Sequence, residues 1–203
     1  MRRTLFVPMA SAALTAVVLA GCSSGSTPPP GSGTSSVSQT PAPGATEPNP
    51  PGDIPDNQAY VPYAPGGGGF TVKVPEGWAR TDSGGTTTFT DKLNRIEIAP
   101  RPAPAAPTAQ SVTTQVVPVL RQQVPKFSLG KVSVVPRQAG SAVLLTYQGD
   151  TAPDPVTGKV VRDAFERYAF HSGGREVDLT LSGPVGADNV DPWRIVTDSL
   201  RWQ

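Results

Sequence analysis

Between Ser23 and Asp53 the chain runs SSGSTPPPGSGTSSVSQTPAPGATEPNPPGD, with one valine and almost nothing else that could enter a core. A segment of this composition buries too little apolar surface to offset the entropy of ordering it. Whatever folds must therefore be built from later residues. Proline keeps such a stretch extended, while glycine and serine let it bend. The span 22–66 is read as a disordered tether, reaching on the order of 100 Å if fully extended. Its Ser/Thr-Pro tracts leave O-glycosylation open beside a plain spacing role.

What precedes the tether sets its address. Arg2 and Arg3 form a short positive start, and Leu5 to Ala20 is almost wholly apolar. That run is shorter than the ~20 residues of a membrane span and suits the apolar region of an export signal. The boundary Leu19-Ala20-Gly21-Cys22 resembles the lipobox of bacterial lipoproteins. Small residues at Ala20 and Gly21 admit the peptidase, and the Cys22 thiol accepts the diacylglyceryl group. The expectation is a signal peptide over 1–21 and an acylated Cys22 holding the protein to the extracytoplasmic face of the cytoplasmic membrane. Two acyl chains hold stably where one holds reversibly, at about 0.8 kcal/mol per buried methylene. Gly21 to Gly25 formally matches the G-x-S-x-G hydrolase elbow, but lacks the strand and helix that motif requires.

Composition narrows the chemistry. The chain of 203 residues carries 24 prolines and 21 glycines, and only 16% of it is charged, with a net charge of +1. That balance gives no reason to expect nucleic acid as a partner. Cys22 is the only cysteine and His171 the only histidine, which excludes an internal disulfide and any metal motif needing two of either. No metal and no cofactor is expected.

From about Gly69 the texture becomes globular. FTVKVP alternates with Phe70, Val72 and Val74 on one face, the mark of a half-buried strand. Gly84-Gly85 signals a hairpin before TTTFTDK, and RIEIAP follows as a further strand. Thr108 is read as a helix N-cap, with Val112, Val116, Val119, Leu120 and Val124 forming an apolar stripe. Pro118 lies inside the stripe and should kink or split the helix, and Pro125 ends it. KVSVVPR, SAVLLTYQG, VVRDAFERYAFH and REVDLTLSG then read as strands, with Val143-Leu144-Leu145 apolar on both faces and hence central. A terminal helix starts with Asp191 as cap and Pro192 at its first position, and buries Trp193, Val196 and Leu200. These elements make an α+β fold over 67–203, an antiparallel sheet of about seven strands packed by helices on its faces.

The order VPEGW, early hairpin, proline-interrupted helix closing in VLRQQVPKF, long central hairpin and terminal helix resembles the LpqN/LpqT-type lipoproteins of actinobacteria. Those are similar in fold to PsbP-like proteins, an α/β/α sandwich. The resemblance covers roughly Phe70 to Trp202 with the lipobox and tether. It implies a tethered envelope domain and supplies no catalytic residues.

Candidate sites are few. His171 ends a strand beside a glycine turn and is expected to be exposed. Glu176 and Asp178, roughly 7 Å apart on one strand face, read either as paired carboxylates for hydrolysis or as a solvated polar face. Arg162, Asp163, Glu166 and Arg167 read as cross-strand ion pairs or a wet face. Trp78, Phe165, Tyr168, Trp193 and Trp202 are the candidates for ligand or partner contact. Trp193 is expected to anchor the terminal helix, and Trp78 and Trp202 to be exposed.

Three functions fit these readings. The first is a non-catalytic binding or assembly module acting on an envelope protein. The second is a carrier or sensor of a hydrophobic envelope lipid, held between helix and sheet in a cavity lined by Leu120, Phe165 or Trp193. The third is an envelope hydrolase, which needs carboxylates converging in a cleft with one pKa raised.

Overall fold

The computed structural model describes residues 50–203. The export signal, the lipobox residues Leu19, Ala20, Gly21 and Cys22, and the tether as far as 49 lie outside the described residues. The first strands are β1 (Tyr60–Tyr63), β2 (Phe70–Pro75), β3 (Ala79–Ser83), β4 (Thr86–Asp91) and β5 (Asn94–Pro102). A helical segment follows as α1 (Ala109–Ser111), a π-helical turn (Val112–Val116) and α2 (Val117–Gln123). The second half comprises β6 (Ser128–Arg137), β7 (Gly140–Asp150), β8 (Arg162–Ser172), β9 (Arg175–Pro184), α3 (Val190–Asp198) and β10 (Arg201–Trp202).

Seven strands form one antiparallel sheet in the order β3-β4-β5-β9-β8-β7-β6, and β1-β2-β10 form a separate small sheet. Side chains alternate across each long strand, so the large sheet has two distinct faces. On the inner face Ile96, Ile98, Tyr168, Phe170, Val177, Leu179 and Leu181 pack against Phe70, Val72 and Val74 of β2 and Trp193, Val196 and Leu200 at the chain's end. On the outer face Val143, Leu145, Tyr147 and Ala169 pack against Val112 and Val117 of the helical segment. The expected α+β sheet with helices on both faces is the observed one.

Membership of the sheet differs from the reading. FTVKVP lies in the small sheet, and the seventh strand of the large one is β3, whose five residues are all exposed. An exposed edge strand has no apolar alternation to betray it. The fold also begins earlier than 67. Within the stretch read as tether, β1 pairs with β2 from Tyr60↔Pro75 to Tyr63↔Val72, and Ile54 is 3% exposed in the inner core. A knot of buried amides fixes this segment: Asn189 Oδ1 accepts from Ile54 N–H at 2.8 Å. Asn189 Nδ2 donates to Gly52 O and Asn94 Oδ1 at 2.9 Å each, and Asn94 Nδ2 donates to Gly52 O at 2.8 Å. Gly183 lies against both side chains, where a Cβ would overlap Asn94 Oδ1.

Thr108 caps as expected, its Oγ1 accepting from Ser111 N–H at 3.0 Å. Pro118 lacks the N–H that a continuous α-helix would give to the carbonyl of Thr114. The chain meets this by widening into the π-helical turn, in which Val117 N–H reaches Val112 O. Asp191 is not the cap of α3. It lies in the first turn, and Asn189 holds the cap position with its side chain committed to the amide knot.

Candidate outer-face groove

The helical segment covers the β7 side of the outer face and leaves the β9 and β5 side without a helix. Strand parity then places Glu176, Asp178, Thr180 and Ser182 of β9 beside Arg101, Glu97 and Arg95 of β5 and Arg167, Phe165 and Asp163 of β8. The polar face of β9 is therefore not solvated: Glu176 is 4% and Asp178 5% exposed. Both carboxylates are held by arginines, Asp178 by Arg167 and Glu176 by Arg101, with Arg101 Nη1 also 3.5 Å from Asp178 Oδ2. Burial pushes the Asp178 carboxyl up, against the lowering pull of Arg167. His171 is half-buried rather than exposed, its Nε2–H donating to Ala103 O at 2.9 Å.

Between α2 and this polar face runs a groove of about 470 Å³. One wall is apolar, built from Leu120 and Val124 of the helix and Tyr147 and Phe165 of the sheet. The rings of Tyr147 and Phe165 stack with centroids 4.5 Å apart at 4°, and Phe127 stacks on the far side of Tyr147 at 5.3 Å. Burial raises the Tyr147 hydroxyl to about 12, so it stays protonated. The other wall carries Arg95, Glu97, Asp163, Arg167, Thr180 and Ser182. Glu97 receives Arg95 at 2.7 Å, and Asp150 at the groove's end receives Lys126 at 2.7 Å and Arg162 at 3.4 Å.

Asp178 Oδ1 lacks a hydrogen-bond partner, but Asp163 differs in having no ion pair among the described residues. It is 5% exposed, and its Oδ1 has no hydrogen-bond partner among the described residues. Burial alone raises its carboxyl to about 6. The charged run Arg162, Asp163, Glu166, Arg167 is thus divided between faces, with Asp163 and Arg167 buried on the outer one. The signal that finds the site in sequence is the spacing Asp163, Phe165, Arg167. It puts charge, aromatic ring and charge at alternate positions on one strand face, where a helix is expected to pack.

The five aromatic candidates do not converge. Trp193 and Tyr168 are buried in the inner core, and Trp78 and Trp202 are half-buried against it. Trp202 meets Phe70 edge-on at 6.4 Å and donates Nε1–H to Ala139 O at 3.3 Å. Tyr168 gives its hydroxyl proton to Glu166 at 2.6 Å and accepts from Arg137 at 2.9 Å. Arg137 in turn reaches Thr197 Oγ1 on α3 at 3.1 Å, so this tyrosine belongs to the clamp that seats α3. Phe165 alone lines the groove. It meets Trp193 only around a hollow of about 290 Å³ beside the β6 edge.

Two other clefts are larger. One of about 700 Å³ lies among the Pro65–Gly68 loop, the β3–β4 hairpin and the ends of β5 and β9. Another of about 740 Å³ lies between β2 and α3. Neither contains a buried polar group lacking a partner of the kind Asp163 presents.

No family model and no curated protein sequence matches the chain. Solved structures do. The cyanobacterial PsbP protein of Synechocystis sp. PCC 6803 superposes with a TM-score of 0.51 at 16% identity, over 75% of this chain and 98% of that one. A protein from Bacteroides thetaiotaomicron VPI-5482 superposes at 0.50 and 12% identity, over 70% of this chain. The chain spans about half of that protein's length, 48%. LpqN, involved in cell envelope biogenesis of Mycobacterium tuberculosis, gives 0.43 at 16% identity, over 73% of this chain and 92% of that one. The fold is therefore PsbP-like, as the order of motifs implied.

Proposed function

We propose that this chain is a membrane-tethered extracytoplasmic lipoprotein whose folded part is a non-catalytic binding module. Cys22 carries the lipid anchor at the cytoplasmic membrane, and an envelope protein docks in the groove between α2 and the large sheet. The observation that carries the reading is the groove's division into an apolar aromatic wall and a polar wall holding one unpartnered carboxyl. A lipid tail in this groove would cover the exposed Arg95–Glu97 pair and leave Asp163 buried without a counter-ion, which is costly. That counts against a carrier of apolar cargo here.

Hydrolysis by paired carboxylates is also poorly served. Register sets Glu97 two strands from Asp163 and four residues along, roughly 10 Å across and 13 Å lengthwise. Asp150 is nearer, but its carboxylate is engaged by two cations.

A photo-crosslinking residue placed at Leu120 in cells tests the reading, with Val185 as an exposed control outside the groove. One discrete protein adduct from position 120 and none from 185 is expected, and equal or absent labelling at both sinks it. Alkyne-palmitate labelling checks the anchor: Cys22→Ala is expected to lose the label and leave the membrane fraction.

A further inference from the structure

We propose that the groove receives an arginine side chain of the protein partner, whose guanidinium pairs with the carboxylate of Asp163. The inference rests on the binding-module reading and names the chemistry that the groove selects.

Charge complementarity carries it. Arg95 and Glu97 neutralise each other, Arg167 is matched by Asp178, and Asp150 by Lys126 and Arg162. Asp163 is the one charge on the lining without a salt-bridge partner among the described residues. The second cation on Asp150 leaves the groove with its paired neighbours neutral overall, so the unmatched charge is local to Asp163. Asp163 is 5% exposed as a residue; its Oδ1 is sealed from solvent without a partner, which leaves Oδ2 as the oxygen within reach of the groove. Such a group is completed by a donor arriving from outside, and a cation satisfies both its charge and its lone pairs. Burial has raised the carboxyl to about 6, and an incoming cation would bring it back down.

The surroundings choose between cations. Phe165 is the end ring of the stack that continues through Tyr147 to Phe127, and it lines the groove with Asp163. A guanidinium is planar, weakly hydrated and stacks on aromatic faces while forming a two-pronged pair with a carboxylate. An ammonium is a strongly hydrated point charge. Leu120 and Val124 offer apolar surface to the methylene stem.

The test uses the chain from position 22 onward, with Cys22→Ser to leave it unacylated, titrated with N-acetyl-Leu-Arg-Leu-amide and followed by amide and carboxyl NMR. The expected result is perturbation centred on Leu120, Phe165 and Asp163, and a fall in the carboxyl titration midpoint of Asp163. The citrulline peptide, isosteric and uncharged, should bind at least tenfold more weakly, and Asp163→Asn should abolish the preference. Equal binding of the two peptides in the groove overturns the guanidinium inference and leaves the binding module standing. A groove untouched by either peptide overturns the inference as well. The crosslink from position 120 then decides separately whether the module reading falls with it.

Discussion

Asp163 and Asn189 are both polar and both buried, at 5% and 2% exposure, yet they act on stability in opposite directions. Asn189 has its amide fully engaged, holding Ile54, Gly52 and Asn94 at once. Asn189→Ala leaves several buried groups unpaired and should cost about 2–4 kcal/mol in urea unfolding. Asp163 pays for desolvation without return. Its carboxyl is raised to about 6, whereas an unfolded aspartate titrates near ~4. Between those values the folded chain holds a proton that the unfolded chain has released, so stability falls as pH rises from about 4 to 6 and then levels. Asp163→Asn should therefore stabilise the protein by about 1–3 kcal/mol at pH 7, with the gain vanishing near pH 4. Melting curves across that range check the sign, and a destabilised variant at pH 7 would refute this account. A stabilising substitution that also removes partner binding is what a site at odds with its own fold produces.

At the scale of elements, the helical segment is seated by a missing side chain. Val124, at the end of α2, lies where a Cβ on Gly149 of β7 would be, and the carbonyl of Pro125 is 3.4 Å from that point. Asp150 N–H binds the same carbonyl at 2.8 Å, tying the end of α2 to β7. Gly149→Ala would push the helix end off the sheet and widen the groove at Asp163, which pairs with Gly149 across the β7–β8 ladder. The expected loss is about 1–3 kcal/mol, as for other overpacked sites. Altered NMR shifts for Tyr147 and Phe165 should localise it. An unchanged thermal midpoint would mean that Val124 yields freely. The stripe from Val112 to Val124 shows that this helix packs on something, and Pro118 shows that it is interrupted. Neither shows that the interruption is a π-helical turn, because the sequence does not say which carbonyl the Val117 N–H reaches.

The whole molecule depends on a segment that looks like linker. Residues 52–63 supply Ile54 and Tyr63 to the inner core, the edge strand β1, and the backbone partners of the amide knot. A chain beginning at 67 should lose about 5 kcal/mol or more against one beginning at 50, from two buried apolar side chains and the stranded amides. The readout is a cooperative melt for the longer chain and none, or a much lower midpoint, for the shorter. Matching melts would return this segment to the tether. The stretch hid because it continues a proline-rich run without regular alternation, and its apolar residues matter only through partners that lie far along the chain.

Alternation and turn chemistry are local, so the long strands β5, β7, β8 and β9, the burial of β7 on both faces, and both helical segments could be read from the residues themselves. Yet β7 lies next to the edge strand rather than at the sheet's centre. The lipobox resemblance at Cys22 is a linear pattern too, and it lies outside the described residues. The burial of Glu176, Asp178 and Asp163, the splitting of FTVKVP into a second sheet, and the groove itself came only with the tertiary structure. Those properties belong to pairs of elements brought together from distant parts of the chain. The polar side of a strand is written in sequence, whereas what covers it is decided by which side chains and elements from distant parts of the chain come to rest beside it.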